Sequence, residues 1–295
     1  MADGIIRIKN LTKFYGKSLG VKDVSFDVKE GETFGFLGPN GAGKTTTIRC
    51  MMDFIRPTSG SISILGMDSV KDSAKIKNEV GFVPGEVKLY DKLTGGEHIR
   101  YIEGFRGNDH SAKKLFKRLD FNPKVKVKNL SKGNRQKLAL ILSLMYRPKV
   151  IIMDEPTSGL DPILQNEIYS ILDEMENDGT TVFFSSHIIS EVERIADRVG
   201  IIQQGKLARI ETIDDLANKK IRNIEIKIKG RYHLADLKLP GTRKVEKNHE
   251  GIIMSYVGDI NPLLKKLATY QIADLKISHA SLEDIFLEFY GKEEK

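Results

Sequence analysis

The sequence predicts an α/β fold on a mainly parallel sheet, with an antiparallel β portion at its start, an inserted helical lobe and a small α+β domain at its end. Two observations carry this class. Over about the first 210 residues, apolar strand-like runs alternate with helix-like periodic ones, and the three clearest runs each end in a polar cluster. Ligands of such sheets collect at the carboxyl ends of strands, so the three clusters are expected to share one crevice.

The opening stretch, IRIKNLTKFYG followed by VKDVSFDV, alternates as antiparallel strands do. TFGFL is a strand running into a glycine-rich loop and then a helix. Residues from about 87 to 147 read as mostly helical, an inserted lobe. KVIIM at 149 to 153 has the continuous apolar run of a strand buried on both faces, and TVFFS at 181 to 185 is the third strand. These elements make up a first domain, 1–215. In the second, 216–295, IEIKIKG, GIIMSYV and IADLKIS supply strands, and NPLLKKLATY and SLEDIFLEFYG read as helices. TIDDLANKK, at the junction, is a short helix with a threonine cap. No internal repeat or low-complexity tract interrupts this order.

A chain of 295 residues buries enough surface to be stable without covalent staples. Apolar residues make up 40% and charged residues 29%, and the longest apolar-rich runs, such as LALILSLMY, fall short of the roughly 18 residues a membrane-spanning helix needs. MADGIIRIKN lacks the pattern of a secretory signal, so a cytoplasmic location is expected. Cys50 is the single cysteine and suits a reducing compartment. The net charge of +7 arises from lysines and arginines scattered among 40 acidic residues. That is a mixed solvated surface, and no nucleic-acid partner is expected.

The chemistry lies at the strand ends. After TFGFL, the residues Gly38, Pro39, Asn40, Gly41, Ala42, Gly43, Lys44 and Thr45 match G-x-x-x-x-G-K-[ST] in the required strand-to-helix setting. Such a loop turns backbone N–H groups toward phosphate oxygens, with Lys44 reaching the β and γ phosphates and the Thr45 hydroxyl ligating Mg²⁺. Thr46 completes the ATP-binding set. A plain glycine turn would leave the Lys-Thr pair unexplained. In VIIMDEPTSGLDP, a buried strand delivers Asp154 and Glu155 together, an arrangement costly to desolvate unless a cation or reactant meets them. Asp154 is assigned to the Mg²⁺ shell, directly or through water, and Glu155 to general base or orienter of the attacking water. His187, just past TVFFSS, alone would read as a cap or packing residue. In the shared crevice it becomes a neutral imidazole bonding the γ-phosphate and the water.

The ordered set GPNGAGKT, LSKGN, VIIMDEP, SGLD and SSH resembles the nucleotide-binding subunit of ATP-binding cassette (ABC) transporters over about the first 215 residues. The resemblance implies a P-loop NTPase fold of the ABC type. It also implies that Ser131, Gly133 and Asn134 cap a helix pressing on ATP held by an opposing subunit, in a homodimer or a heterodimer with a similar ATPase. Asp161 would link the two sites, and Tyr15 would stack on adenine. Two positions depart from the family pattern: Lys132 and Asn134 stand where glycine and glutamine are usual, and Gly85 stands where a metal-sensing glutamine is expected. Glu86 either substitutes at the metal or is a solvated loop acid. The tail resembles that of subunits serving the second ABC export class, which implies a separate transmembrane permease and a position on the inner face of the cell membrane. The permease's coupling helices would insert near Val87 to Leu93. The competing functions are a cassette ATPase acting on ribosomes or nucleic acid, and a regulatory module with little turnover.

Overall fold

The computed structural model describes residues 4–106, 111–218, 221–230, 232–247 and 251–279. The chain divides into two compact units, Met1–Glu211 and Thr212–Lys295. In the first, β1 (Ile6–Tyr15) and β2 (Ser18–Val28) form a hairpin, and β3 (Thr33–Leu37) leads into α1 (Lys44–Met51). Then come β4 (Ser59–Ile64), β5 (Met67–Asp68), α2 (Ser73–Glu79) and β6 (Val80–Val83). The lobe holds α3 (Gly95–Arg106), α4 (Ser111–Arg118) and α5 (Lys132–Leu144). The unit is completed by β7 (Val150–Asp154), α6 (Pro162–Asn177), β8 (Thr181–Ser186), α7 (Ile189–Ile195), β9 (Arg198–Gln203) and β10 (Lys206–Thr212).

Two sheets result, one in the order β2-β1-β4-β5 and one in the order β10-β9-β3-β8-β7-β6. The first is antiparallel, as the alternation at the start of the chain requires. In the second, β3 pairs in parallel with β8 and β9, and β7 pairs in parallel with β8 and β6. Thus the three runs legible in the sequence lie side by side. Their residues are buried throughout, which explains why they are continuous apolar runs rather than alternating ones. Phe26 of β2 joins the sheets: its ring stacks on Phe34 at 5.3 Å and on Phe183 at 6.0 Å, with Phe36 tilted at 5.4 Å. Such ring pairs add roughly 0.5–1.5 kcal/mol each beyond the area they bury.

The second unit begins with α8 (Ile213–Asn218), capped by Thr212, whose hydroxyl accepts from the Asp215 N–H at 3.0 Å. Strands β11 (Ile221–Lys229), β12 (Thr242–Lys247), β13 (Ile252–Val257) and β14 (Gln271–His279) form an antiparallel sheet in the order β12-β13-β11-β14. Helix α9 (Asn261–Leu267) contributes Leu263 and Leu267 to the core around Ile224, Met254 and Tyr256. The sequence reading missed β12, whose TRKVEK stretch offers one apolar residue at a sheet edge. The SLEDIFLEFYG stretch lies outside the described residues.

At the start of β3 sits an acidic pair with a pH consequence. The Thr33 hydroxyl donates to Glu176 at 2.8 Å, and the Thr33 N–H donates to Asp197 at 2.9 Å. Burial, followed by the neighbouring Asp197, pushes the Glu176 carboxyl up to about 7. Because the folded value lies above the unfolded one, this group's contribution to stability is full below about 4.5 and is lost as pH rises through about 7. Glu176→Gln, which mimics the protonated acid, should therefore gain on the order of 1–3 kcal/mol over the parent between those limits. Denaturant unfolding across that pH range checks it; parallel curves for both proteins would refute it.

Candidate active site

The glycine-rich loop turns sharply between β3 and α1. Gly43 sits at the N-cap of α1 with φ of 109° and carries no side chain to cap the helix. The first-turn N–H groups therefore remain available to an anion, with the positive end of the helix behind them. A Cβ at Gly43 would lie 2.5 Å from Val21 Cγ1 and 2.9 Å from the Gly20 carbonyl. Lys44 is only 5% exposed, and its ammonium donates to the Gly38 carbonyl at 2.7 Å and the Pro39 carbonyl at 3.2 Å. A buried cation held by its own loop's oxygens is arranged to receive phosphate oxygens.

Asp154, at the end of β7, is 4% exposed. One carboxylate oxygen accepts from the Thr45 hydroxyl at 2.7 Å, and the other from the Ser185 hydroxyl at 2.6 Å. Ser185 also fixes the next residue, since the Glu155 N–H donates to its hydroxyl at 3.1 Å and to its carbonyl at 3.2 Å. Glu155 is held at φ of 50°, a left-handed conformation that costs a non-glycine residue of order 1–3 kcal/mol. Its carboxylate lies 3.4 Å from Lys44 Nζ and 3.1 Å from His187 Nδ1. Lys44, Thr45, Asp154, Glu155 and His187 thus meet as expected, beside a cavity of about 500 Å³ that Asn40, Thr45, Phe82, Gly85, Asp154 and Glu155 help to line.

The other expected residues fall around this centre. Tyr15 is 45% exposed, and its hydroxyl is 3.4 Å from that of Thr46 beside the loop. Ser131 is the N-cap of α5, its hydroxyl accepting from the Asn134 N–H at 3.2 Å. A Cβ at Gly133 would approach Leu160 Cδ2 at 3.4 Å, so this helix start abuts the loop leading to Asp161. Asp161 caps α6, accepting from the Leu164 N–H at 3.0 Å. A Cβ at Gly85 would lie 3.2 Å from Asp154 Oδ2, so the position lacking a glutamine faces that carboxylate. Glu86, by contrast, is 79% exposed and lies 3.6 Å from Lys88 Nζ. Sequence reasoning missed Ser185, whose only signal was a small hydroxyl residue ending an apolar strand.

A phosphate-binding loop on a parallel sheet, with a buried aspartate and an adjacent glutamate at the end of β7, one strand beyond β8, defines a P-loop nucleoside triphosphatase. Residues 21–158 match the family described as ABC transporter. The chain is 34% identical over 298 residues to the bacitracin transport ATP-binding protein BcrA of Bacillus licheniformis, covering 97% of each. It is 37% identical over 222 residues to the linearmycin resistance ATP-binding protein LnrL of Bacillus subtilis (strain 168), covering 73% of this chain and 71% of that one. Among solved structures it resembles the dimeric post-hydrolysis state of the ATP-binding cassette MJ0796 bound to ADP and Pi. The TM-score is 0.65 and the identity 26%, over 70% of this chain and 98% of that one. The chain belongs to the ABC transporter ATP-binding family, and it is an ATP-binding, ATP-hydrolysing subunit of such a transporter.

Gly43→Ala tests the loop. The added methyl meets Val21 and a carbonyl at an unfavourable φ, so the variant should lose about 1–3 kcal/mol of stability and bind ATP more weakly. Thermal unfolding with and without nucleotide measures both, and an unchanged midpoint with full nucleotide stabilisation would refute it.

Proposed function

We propose that this chain powers export through a separate membrane permease, closing on ATP as a dimer with a second copy or a similar ATPase at the inner face of the cell membrane. The observation that carries the reading is the placement of Glu155 between Lys44 and His187, one residue after the buried Asp154. The relatives' names, bacitracin transport and linearmycin resistance, support the export class. Among the described residues no helix is long and apolar enough to cross a membrane, so the pathway would come from another chain.

The hydroxyl of Thr45 and the carboxylate of Asp154 fit an oxygen-seeking Mg²⁺, which would supply charge compensation at the phosphates. Among the described residues no group of three or more His, Cys, Asp or Glu could hold a metal by itself, which suits a cation completed by phosphate and water. Lys44 neutralises the phosphate oxygens. Glu155 takes a proton from the attacking water or orients it, and His187, within hydrogen-bond reach of Glu155, holds that carboxylate and the γ-phosphate side of the pocket. Tyr15 offers its exposed ring to adenine. The exposure of Glu86 supports the loop-acid reading over a metal ligand.

Ser131 and Lys132 are exposed at the start of α5, with Gly133 and Asn134 in the first turn behind them. That suits the ATP of an opposing subunit, with Asp161 in the neighbouring loop. On the lobe, Tyr90, Tyr101 and Phe105 are 61%, 47% and 75% exposed and stack edge to face at 5.9 and 5.2 Å. An aromatic surface of this kind, beginning within the Val87 to Leu93 stretch, suits the permease's coupling helices. A cassette acting on ribosomes or nucleic acid is not favoured, because the relatives named above serve transport or resistance.

Glu155→Gln should abolish most ATP turnover while leaving ATP binding intact, and should accumulate an ATP-bound dimer. Phosphate release and light scattering in ATP and magnesium measure these outcomes. Hydrolysis at the parental rate removes Glu155 from its role, and a monomer at every concentration removes the dimer.

A further inference from the structure

Glu191, in the first turn of α7, is 6% exposed, and its carboxylate binds hydroxyls from three separate elements. Oε1 accepts from the Thr157 hydroxyl and, at 3.1 Å, from Tyr169 of α6. Oε2 accepts from the Ser186 hydroxyl at 2.5 Å. Thr157 lies two residues after Glu155, and Ser186 immediately precedes His187. One side chain therefore ties the loop bearing Glu155 to the loop bearing His187, using a different oxygen for each.

An acidic residue in a first helical turn complements the helix dipole, but an exposed one would do that without being desolvated. An aliphatic residue would fill the buried volume at lower cost. Neither alternative accounts for a carboxylate whose two oxygens are divided between these two loops. The Glu155 loop has a second anchor on its other side, where the buried Gln136 of α5 donates to the Pro156 carbonyl at 2.9 Å. The hydroxyl of Ser186 is itself built into the second loop, since the Ile188 N–H donates to it at 2.9 Å. His187 thus lies between Ser186, which bonds Glu191, and Ile188, whose N–H bonds Ser186.

We propose that Glu191 is a positioning residue for hydrolysis, holding Glu155 and His187 at their 3.1 Å separation by bridging Thr157 to Ser186. The proposal rests on the reading of Glu155 and His187 given above. In Glu191→Gln, the amide nitrogen cannot accept from a hydroxyl, so at least one bonded hydroxyl must turn to accept instead, and the bridge loses its charge-assisted bond on that side with the volume kept. Thr157→Val removes one donor at nearly constant shape. Tyr169→Phe removes a bond to the same carboxylate and a contact with the Thr157 hydroxyl, but leaves the Thr157–Glu191–Ser186 bridge itself in place.

Steady-state ATP hydrolysis, ATP binding and thermal unfolding of the full chain distinguish the outcomes. Glu191→Gln and Thr157→Val should each lower kcat by roughly tenfold or more while KM and the unfolding midpoint stay near the parental values, because misplacing reacting groups costs rate rather than binding. The double variant should be no slower than Glu191→Gln alone, since both changes weaken one bridge. Tyr169→Phe should keep its kcat. Parental kcat in the first two variants overturns the proposal, as does a loss that tracks the unfolding midpoint or appears equally in Tyr169→Phe. If Glu155→Gln itself hydrolyses normally, the underlying reading fails; if it is inactive while Glu191→Gln is not, only the bridge is lost.

Discussion

The carboxylate of Asp154 is the fixed point around which the rest of the site is arranged. It is buried and accepts from the hydroxyls of Thr45 and Ser185, which belong to the segments following β3 and forming β8. A carboxylate removed from water is costly unless its oxygens are bonded, and both are. The bonds form only because β3, β8 and β7 are adjacent and in register, with Leu37 opposite Ser186 and Asp154 opposite Ser185. The apolar runs that bury these strands therefore also set the relative heights of their polar ends.

From that point, order spreads outward at a local cost. Ser185 holds the backbone N–H of Glu155 while that residue stays in a left-handed conformation, which turns its carboxylate toward Lys44 and His187. Lys44 is buried with its charge satisfied by loop carbonyls. Such strained and desolvated groups persist where the surrounding packing over-determines them, and here the phenylalanine cluster between the two sheets supplies that packing. Stability made by the apolar layers maintains the strained residue and the buried charges at the strand ends.

Much of this was legible in the sequence because the signals were local. GPNGAGKT needs only a strand before it and a helix after it, and VIIMD shows its burial in its own composition. Other parts were not local. β6, with four residues, is too short to show a period, and β12 is a charged edge strand whose pairing with β13 comes from the partner strand. Ser185 and Glu191 look like ordinary helix and strand-end polar residues until the loops of Thr45, Glu155 and His187 are brought together. Glu86 was equally ambiguous in sequence, and its exposure beside Lys88, on the rim of the cavity that Asp154 lines, is visible only in the fold.

By itself the sequence determined the chemistry: a phosphate loop with its lysine, consecutive carboxylates after a buried strand, a histidine after another, and a second capped helix start. Residue type and spacing suffice for these, since backbone turns and strand burial follow from a few neighbouring residues. Only the tertiary structure decided the order of the strands, the left-handed backbone of Glu155, the gap at Gly85 facing Asp154, and the carboxylate that joins two loops. Each of these depends on side chains far apart along the chain, and their contacts exist only once the sheet has closed.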